Sequence, residues 1–261
     1  MTDRTTTTIP AVRPGLNAWV QLTRHEARMV ARDTAGLIIP LGLPILILVM
    51  NGLGAGTDPV PEFGGMSPMN AYVVPITLVM VMAVIGIINM PSHLATYRKS
   101  GVLRRLAVTP AHPSMVLVAQ VIVSVLQTIL GLGLALVIGV LAFDVVAPGN
   151  LAGAMGTMVL AACAMYAVGM FIAAVSPTAN SSVAIGLIAF FATMALGGGF
   201  GPRENLPDWL ARIGELLPFG AGVEALSASW MGETPELLHL GGLAAVIILA
   251  GAAAAALFRW E

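Results

Sequence analysis

The chain has few charged residues for its length. Of its 261 residues only 10% are Asp, Glu, Lys or Arg, whereas 57% are apolar. A soluble domain carries about a quarter charged residues, because its surface must face water. This shortage excludes an ordinary water-soluble globule and favours a chain whose surface faces lipid. The net charge of −1 also argues against nucleic acid as a partner, because a phosphate backbone requires a basic surface.

Cysteine and lysine are almost missing. The one cysteine, Cys163, lies in an apolar run and cannot form an intramolecular disulfide. The one lysine, Lys99, is followed by a serine, but the residues before it, HLATYR, contain no glycine. The phosphate-binding loop of an ATPase is therefore absent. The four histidines have no metal-ligand spacing, so the sequence predicts no metal site, no catalytic residues and no cofactor in this chain.

Long apolar runs dominate what is present. A helix needs about 20 apolar residues to cross a bilayer, and six stretches qualify: 35–55, 70–92, 114–142, 151–175, 180–200 and 237–258. None has a charged residue in its interior. Pro177, in the polar segment 176–180, breaks a tract that is too long for one crossing. The sequence predicts an all-α integral membrane protein with six transmembrane helices over residues 35–258.

Basic residues in the loops predict the orientation. The segments before span one, between spans two and three, and after span six hold 10 of the 12 basic residues. Because cytoplasmic loops are enriched in Lys and Arg, both termini are predicted to be cytoplasmic, in the inner (plasma) membrane. Residues 1–15 are expected to be a flexible cytoplasmic N-terminus, and residues 259–261 a cytoplasmic tail.

Residues 16–34 are predicted to form an amphipathic helix that lies in the membrane interface. Leu16, Trp19 and Val30 share one face, whereas Arg24 and Arg28 lie on another. The alternative is an ordinary polar leader whose arginines only set the topology.

The cytoplasmic loop 92–113 contains four cations interspersed with leucines. A short helix with exposed leucines beside arginines is suited to docking a soluble partner. The alternative is that the cations only obey the positive-inside rule. Taken alone, the residues of this loop leave both interpretations open.

The outer segment 201–236 is predicted to form two short helices that enter the outer leaflet and return. Trp209 and other apolar residues recur at helical spacing in the first, Pro218 ends it, and Glu224 lies in the second. The glycine cluster at 197–201 is expected to end span five. Backbone at membrane depth must be helical or buried in protein, so this segment is expected to cap another part of the molecule.

Two motifs are similar to those of a known family. The run GVLRRLAVTP at 101–110, directly after span two, resembles the signature of the type-2 ABC transporter permeases. The turn LLPF at 216–219, followed by EAL at 224–226, is similar to that family's segment before the final span. The N-terminal helix, six spans and inside termini also match, so the resemblance covers almost the whole chain.

The resemblance implies a half-transporter. Two such permeases, identical or paralogous, assemble with two copies of a soluble ATP-binding cassette subunit that binds ATP and Mg. It implies that loop 92–113 couples to that ATPase, with a second contact at the hairpin of Pro177. The implied coupling residues are Arg98, Lys99, Leu103, Arg104, Arg105, Leu106 and Pro177. The family's substrate path involves spans two and five, which implies roles for Asn70, Thr77, Asn89, Ser181 and Thr193.

The form of the signature resembles the drug and antibiotic exporters, so export of hydrophobic drugs or natural products is the leading expectation. Met80, Met82 and Met90 in span two would suit an adaptable apolar path, although a lipid-facing role is the commoner explanation for methionine. The alternatives are export of glycans or lipids and, in a different class, an ion-coupled carrier. Such carriers usually keep an ionisable residue within the membrane, and the predicted spans have none.

Overall fold

The computed structural model describes residues 15–55, 58–99, 114–201 and 203–257 of the chain. Within these ranges the regular structure is entirely helical. The α-helices are α1 (Leu16–Arg32), α2 (Thr34–Ala55), α3 (Val74–Ala83), α4 (Met90–Lys99), α5 (Ser114–Phe143), α6 (Leu151–Val175), α7 (Ala179–Leu196), α8 (Asp208–Leu216), α9 (Pro218–Trp230) and α10 (Leu237–Leu257). Short 3₁₀ helices lie at Pro61–Phe63 and Arg203–Asn205, and π-helical segments at Met69–Val73 and Val84–Asn89.

Six helical stretches in the described ranges are long and apolar enough to cross a membrane. They are Gly36–Ala55, Met69–Tyr97, Met115–Phe143, Leu151–Val175, Ala179–Leu196 and Leu237–Leu257, which we number spans 1 to 6. The predicted all-α membrane architecture, the six crossings and the two short helices before the last span are confirmed. Successive spans alternate in direction, so the bundle has two ends. We call the end that carries α1 the α1 end, and the end that carries α8 the α8 end.

Three predicted segments fall wholly or partly outside the described residues. They are residues 1–14 of the N-terminal segment, residues 100–113 of the coupling loop and the tail 259–261. The first residues of the coupling loop, by contrast, are helical, because α4 continues to Lys99 rather than ending at residue 92. Polar side chains in this turn satisfy the helix's own carbonyls: Ser92 donates to Asn89 O at 2.7 Å and Thr96 to Ser92 O at 2.9 Å. Hydropathy alone therefore placed the end of this helix too early.

Span 2 occupies the centre of the bundle. Its α-helical parts, α3 and α4, are each preceded by a π-helical segment, and each segment ends two residues before a proline, Pro75 or Pro91. Proline has no N–H to donate and its ring collides with the carbonyl of the preceding turn. A widened π turn accommodates both effects. The two irregular segments of span 2 thus follow from its two prolines.

Glycines in spans 4 and 5 allow both helices to approach the second π segment closely. A Cβ atom on Gly169 would overlap the carbonyl oxygen of Gly86, and one on Gly186 would lie 2.6 Å from the carbonyl oxygen of Ile87. No side chain larger than hydrogen fits at either position without a shift of backbone. Small residues at helix contacts are a common basis of packing in membranes, where little hydrophobic force acts between helices.

A proline in span 1 explains a buried polar cluster. Pro40 lies inside α2 and cannot donate to the carbonyl of Gly36, four residues earlier. Two side chains from other spans replace the missing donor: Asn89 Nδ2 and Gln127 Nε2 donate to Gly36 O at 3.0 and 2.9 Å. Asn89 also donates to Gln127 Oε1 at 2.9 Å. The cluster links spans 1, 2 and 3 through one carbonyl.

Helix α1 packs against the bundle through one side only. Glu26 and Val30 are buried, whereas Leu16 and Val20 are 82% and 56% exposed. The arginines Arg24 and Arg28 are exposed on a further side. Of the apolar residues predicted to share one face, Val30 therefore packs against the bundle and Leu16 is exposed. A helix that lies on the bundle with one side and in the membrane interface with another would show this division.

Candidate functional site

A glycine turn organises the α8 end. Helix α7 ends at Leu196, and the chain reverses through Gly198, whose φ of 89° suits a residue without a Cβ. The hydroxyl of Tyr72, from span 2, donates to the carbonyl of Gly198 at 2.6 Å. The turn that was expected to end span five does so, and it is tied to the central helix.

Three glycines bring α7, α8 and α9 into direct backbone contact. A Cβ on Gly214 would overlap the Leu196 carbonyl, and a Cβ on Gly220 would overlap the Gly214 carbonyl. A Cβ on Gly197 would lie 2.7 Å from the nitrogen of Gly220. Pro218 is buried and begins α9, directly after the extended residue Leu217. The two short helices are thus held tightly to the end of span 5.

A charged cavity of about 790 Å³ lies between these elements. Arg203 and Glu224 form an ion pair across it, and Glu215 Oε1 lies 3.0 Å from His239 Nε2 at its edge. The second guanidinium nitrogen of Arg203, Nη1, is buried without a hydrogen-bond partner among the described residues. The other charged lining residues are Asp208 and Arg212. The cavity therefore carries both signs of charge, and it can accommodate a polar or charged group of a ligand.

An apolar cavity of about 460 Å³ adjoins the charged one. Spans 1, 2 and 5 line it through Met50, Met80 and Met194, together with other apolar residues and the glycine turn. The two cavities share Tyr72 and Gly198, so the Tyr72–Gly198 hydrogen bond lies at their boundary. Of the methionines singled out in span 2, Met80 lines this cavity, and Met82 and Met90 are fully buried in the core.

The residues implied for a substrate path each have a local partner. Asn70 donates to Ser67 Oγ at 3.0 Å and accepts from the nitrogen of Val146 at 2.9 Å. Thr77 donates to the Val73 carbonyl at 2.8 Å.

The other three residues lie in different parts of the bundle. Asn89 donates to Gly36 O, Ser181 accepts from Thr178 N at the start of α7, and Thr193 donates to Ala189 O at 2.8 Å. Of these five residues, none lines the two cavities just described. The structure does not bring the five residues together, and their assignment to a substrate path stays a prediction.

The three outer-segment residues have distinct places. Trp209 is 64% exposed on α8, Pro218 fixes the start of α9, and Glu224 lines the charged cavity. Sequence reasoning missed the partners Arg203 and His239, which lie 21 and 24 residues from Glu224 and Glu215. The available signal was the presence of acids and bases in one segment that must fold back on itself.

At the α1 end, Pro177 is exposed in the tight hairpin between α6 and α7. The next residue, Thr178, caps α7: its Oγ1 accepts from Ser181 N at 3.1 Å, and Ser181 Oγ accepts from Thr178 N at 3.0 Å. This capping box gives the hairpin a defined shape. Leu103, Arg104, Arg105 and Leu106, with the side chains of Arg98 and Lys99, lie outside the described residues.

Helix α1 is tied to the last turn of span 2 at this end. The hydroxyl of Tyr97 donates to the carboxylate of Glu26, whose two oxygens lie 2.7 and 2.6 Å away. Burial raises the pKa of Glu26, while the hydrogen bond from Tyr97 and the charge of His25 act in the opposite direction. Tyr97 lies two residues before the end of α4, so α1 contacts the helical first part of the predicted coupling loop, residues 92–113.

Within the described residues, no three His, Cys, Asp or Glu side chains come together in a metal-binding arrangement. A sequence model described as the ABC-2 type transporter family matches residues 17–231, which is most of the chain. The match covers α1, spans 1 to 5 and both short helices of the α8 end. No curated protein matches the chain.

Proposed function

Because the chain belongs to the ABC-2 type transporter family and is thus the membrane-spanning permease of an ABC transporter, we propose that it exports hydrophobic drugs or natural products. The energy is supplied by a soluble ATP-binding cassette subunit that binds ATP and Mg. The complete assembly holds two such subunits and a second permease, either a copy of this chain or a paralogue.

The apolar cavity between spans 1, 2 and 5 is the observation that carries the choice of cargo. Its volume of about 460 Å³ is within the range of sites for drug-sized ligands. Methionine side chains from three helices line it, and flexible, polarizable thioethers adapt to ligands of different shape. The charged cavity next to it would receive a polar group of the same cargo. An amphipathic organic molecule fits this pair of cavities better than a long hydrophilic chain.

The lack of an internal energy source supports an ATP-driven mechanism. The six spans contain no Asp, Glu, Lys or Arg, and their two histidines, His93 and His239, lie within five residues of a span end, so the membrane-depth carboxylates by which ion-coupled carriers usually bind their ion are missing. An ATPase would bind at the α1 end, through Leu103, Leu106 and the neighbouring cations. Pro177, exposed in its rigid hairpin, would provide the second contact. Both termini would then lie in the cytoplasm and the α8 end outside the inner membrane.

Filling the apolar cavity tests the cargo proposal. Met50 lines the cavity from span 1 and is 64% exposed, so Met50→Trp can be accommodated without unfolding the core. We expect at least fivefold slower efflux of ethidium from cells that co-express the chain and its ATPase. Leu53→Trp is the matched control, since Leu53 is on the same helix, is 76% exposed and does not line the cavity.

Equal efflux by both tryptophan variants would count against transport through this cavity. If the wild type exports a fluorescent lipid or a glycan carrier instead of ethidium, the alternative cargo is correct. Efflux that survives ATP depletion but stops with an ionophore would indicate an ion-coupled carrier.

A double substitution tests the proposed coupling surface. Leu103→Asp with Leu106→Asp places two charges where apolar contact is required, so we expect at least tenfold loss of ATPase co-purification and of efflux. Gln21→Asp provides a control, because Gln21 is an exposed polar residue of α1 at the same end and lies outside the proposed contact. Unchanged association of the ATPase with the double variant would refute the assignment.

A further inference from the structure

Helix α1 exposes a row of arginines. Arg24, Arg28 and Arg32 recur at every fourth residue, and all three are exposed. Because an α-helix turns by about 100° per residue, this spacing places them on one side of the helix, within an arc of about 80°. We call them the arginine row. None of the three forms an ion pair with a carboxylate in the described part of the chain, so the row is a local excess of positive charge.

The acids near α1 do not face the arginine row. Glu26 is the one acid within the helix, and it is buried against the bundle, where Tyr97 donates to it. It lies about 160° from Arg28 around the helix axis. Asp33, directly after the helix, accepts from Gly36 N at 3.0 Å and so belongs to the start of α2. Neither acid therefore compensates the row.

The arginine row lies at the level of a membrane surface. Three residues separate Arg32, the last residue of α1, from Gly36, where span 1 begins. In the second half of α1, Glu26 contacts Tyr97, the residue at which span 2 ends. Two separate spans thus place α1 at the edge of the hydrocarbon core, where lipid headgroups lie.

Exposed apolar residues adjoin the row on the same helix. Leu16 and Val20 are 82% and 56% exposed, and a rotation of about 40° around the axis leads from Val20 to Arg24. A helix in the interface of an anionic membrane has this arrangement, with its apolar side toward the acyl chains and its basic side toward the phosphates. A soluble anion would leave Leu16 and Val20 facing water, so the neighbouring apolar surface favours a lipid as the source of negative charge.

We propose that the arginine row binds the headgroups of anionic phospholipids, and that these lipids hold α1 against the end of span 2. A guanidinium group binds phosphate oxygens through two parallel N–H donors. Since Tyr97 belongs to the predicted coupling loop 92–113, bound lipid fixes the position of α1 beside that loop. Lipid binding at the row depends neither on the cargo nor on the identity of the ATPase.

Hydrogen exchange of residues 16–32 tests the proposal, with the full chain in nanodiscs at one fixed pH. We expect exchange at least threefold slower in discs of phosphatidylglycerol mixed with phosphatidylcholine than in discs of phosphatidylcholine alone. Salt at about 1 M should remove most of this difference, because it screens the charges of exposed residues. Helix α8 is the internal control, since both leaflets of a disc have the same composition and α8 carries two acids and one arginine. Its exchange should not be slower in the anionic discs.

Two triple variants separate charge from other properties of the row. Arg24→Gln with Arg28→Gln and Arg32→Gln should abolish the difference between the two lipids. Lysine at the same three positions is the matched control, which keeps the charge and should retain at least half of the difference. Thermal unfolding in zwitterionic detergent should be alike for the wild type and both variants, since the three side chains are exposed.

Three outcomes would overturn the proposal. The first is equal exchange of α1 in both lipids in the wild type. The second is the same response to lipid in the glutamine and lysine variants, because headgroup charge would then not be the cause. The third is slowing of α8 as large as that of α1, which would indicate a general effect of the bilayer.

Discussion

Span 2 and span 6 are similar in apolar character, yet they occupy opposite positions in the bundle. In the most apolar 18-residue window of span 2, 89% of the residues are buried within the chain, against 11% in span 6. Apolar composition therefore decides that a segment crosses the membrane. It does not decide whether the segment faces protein or lipid.

The backbone accounts for the difference. Span 2 contains Pro75 and Pro91, two π segments and carbonyls that face the glycines of neighbouring helices. Span 6 is one regular α-helix, and a Cβ on its Gly251 would meet nothing within 4 Å. Backbone groups that a regular helix leaves unpaired at proline must be covered by protein in a membrane. In span 2 the irregular backbone and the central position therefore go together.

Replacing a glycine that faces span 2 should have the largest effect. Gly169→Ala places a Cβ against the Gly86 carbonyl, so we expect the free energy of unfolding to fall by about 1–3 kcal/mol. Gly156→Ala, in the same helix but with nothing within 4 Å, should raise it by up to about 1 kcal/mol. Thermal unfolding in detergent measures both. Equal responses of the two variants would contradict the contrast between protein-facing and lipid-facing sides.

The cluster on Gly36 O should show the next largest effect. Asn89→Leu removes one of two side-chain donors to this carbonyl, and we expect a loss of about 1–2 kcal/mol. Pro40→Ala supplies the backbone donor that the helix lacks, so in that background the loss should be smaller. A double-mutant cycle measured by thermal unfolding gives the coupling between the two changes. A coupling of zero would mean that Asn89 stabilises the bundle in another way.

The contact of α1 with Tyr97 should show the smallest effect, because it lies at the edge of the bundle. Since burial raises the pKa of Glu26, docked α1 binds a proton more readily than undocked α1. Docking is then favoured in acid and weakens as the pH rises from about 4.5, the ordinary value for Glu, through the raised pKa. Hydrogen exchange of residues 16–32 at pH 5 and pH 8, corrected for the intrinsic rates, measures this.

Glu26→Gln keeps an acceptor for Tyr97 and carries no charge, so exchange in α1 should lose its dependence on pH and be slower than in the wild type at pH 8. Glu26→Ala controls for the loss of the hydrogen bond. A pH dependence that persists in the glutamine variant would show that another group controls the docking of α1.

Much of the fold could be predicted from the sequence, because long uncharged runs and prolines act locally. The six crossings, the break at Pro177 and the short helix that begins at Pro218 all follow from residues near one another in the chain. The sequence did not reveal which span lies at the centre of the bundle, because the contacts of Gly169 and Gly186 with span 2 join distant parts of the sequence.

The candidate site was predicted less completely. Glu224 was found as a charge within an apolar helix, but its partner Arg203 and the cavity that both line depend on how the outer segment folds back. Asn89 was assigned to a substrate path because the resemblance implies a path along spans two and five, and this assignment stays a prediction; in the structure its amide donates to the carbonyl of Gly36, which Pro40 leaves unpaired. A proline in one span and an amide in another could not be paired without the three-dimensional arrangement.

The two prolines of the central helix have a mechanical consequence. Pro75 and Pro91 are sixteen residues apart, or about 24 Å along a helix axis, and each follows a π turn whose hydrogen bonds tolerate bending. A push delivered to α4 would pivot at Val84–Asn89 and leave α3 in place, while the turn at Met69–Val73 gives the opposite tip its own joint. Span 2 would thus bend at two defined places, one at its α8 tip and one inside the bundle, rather than along its whole length.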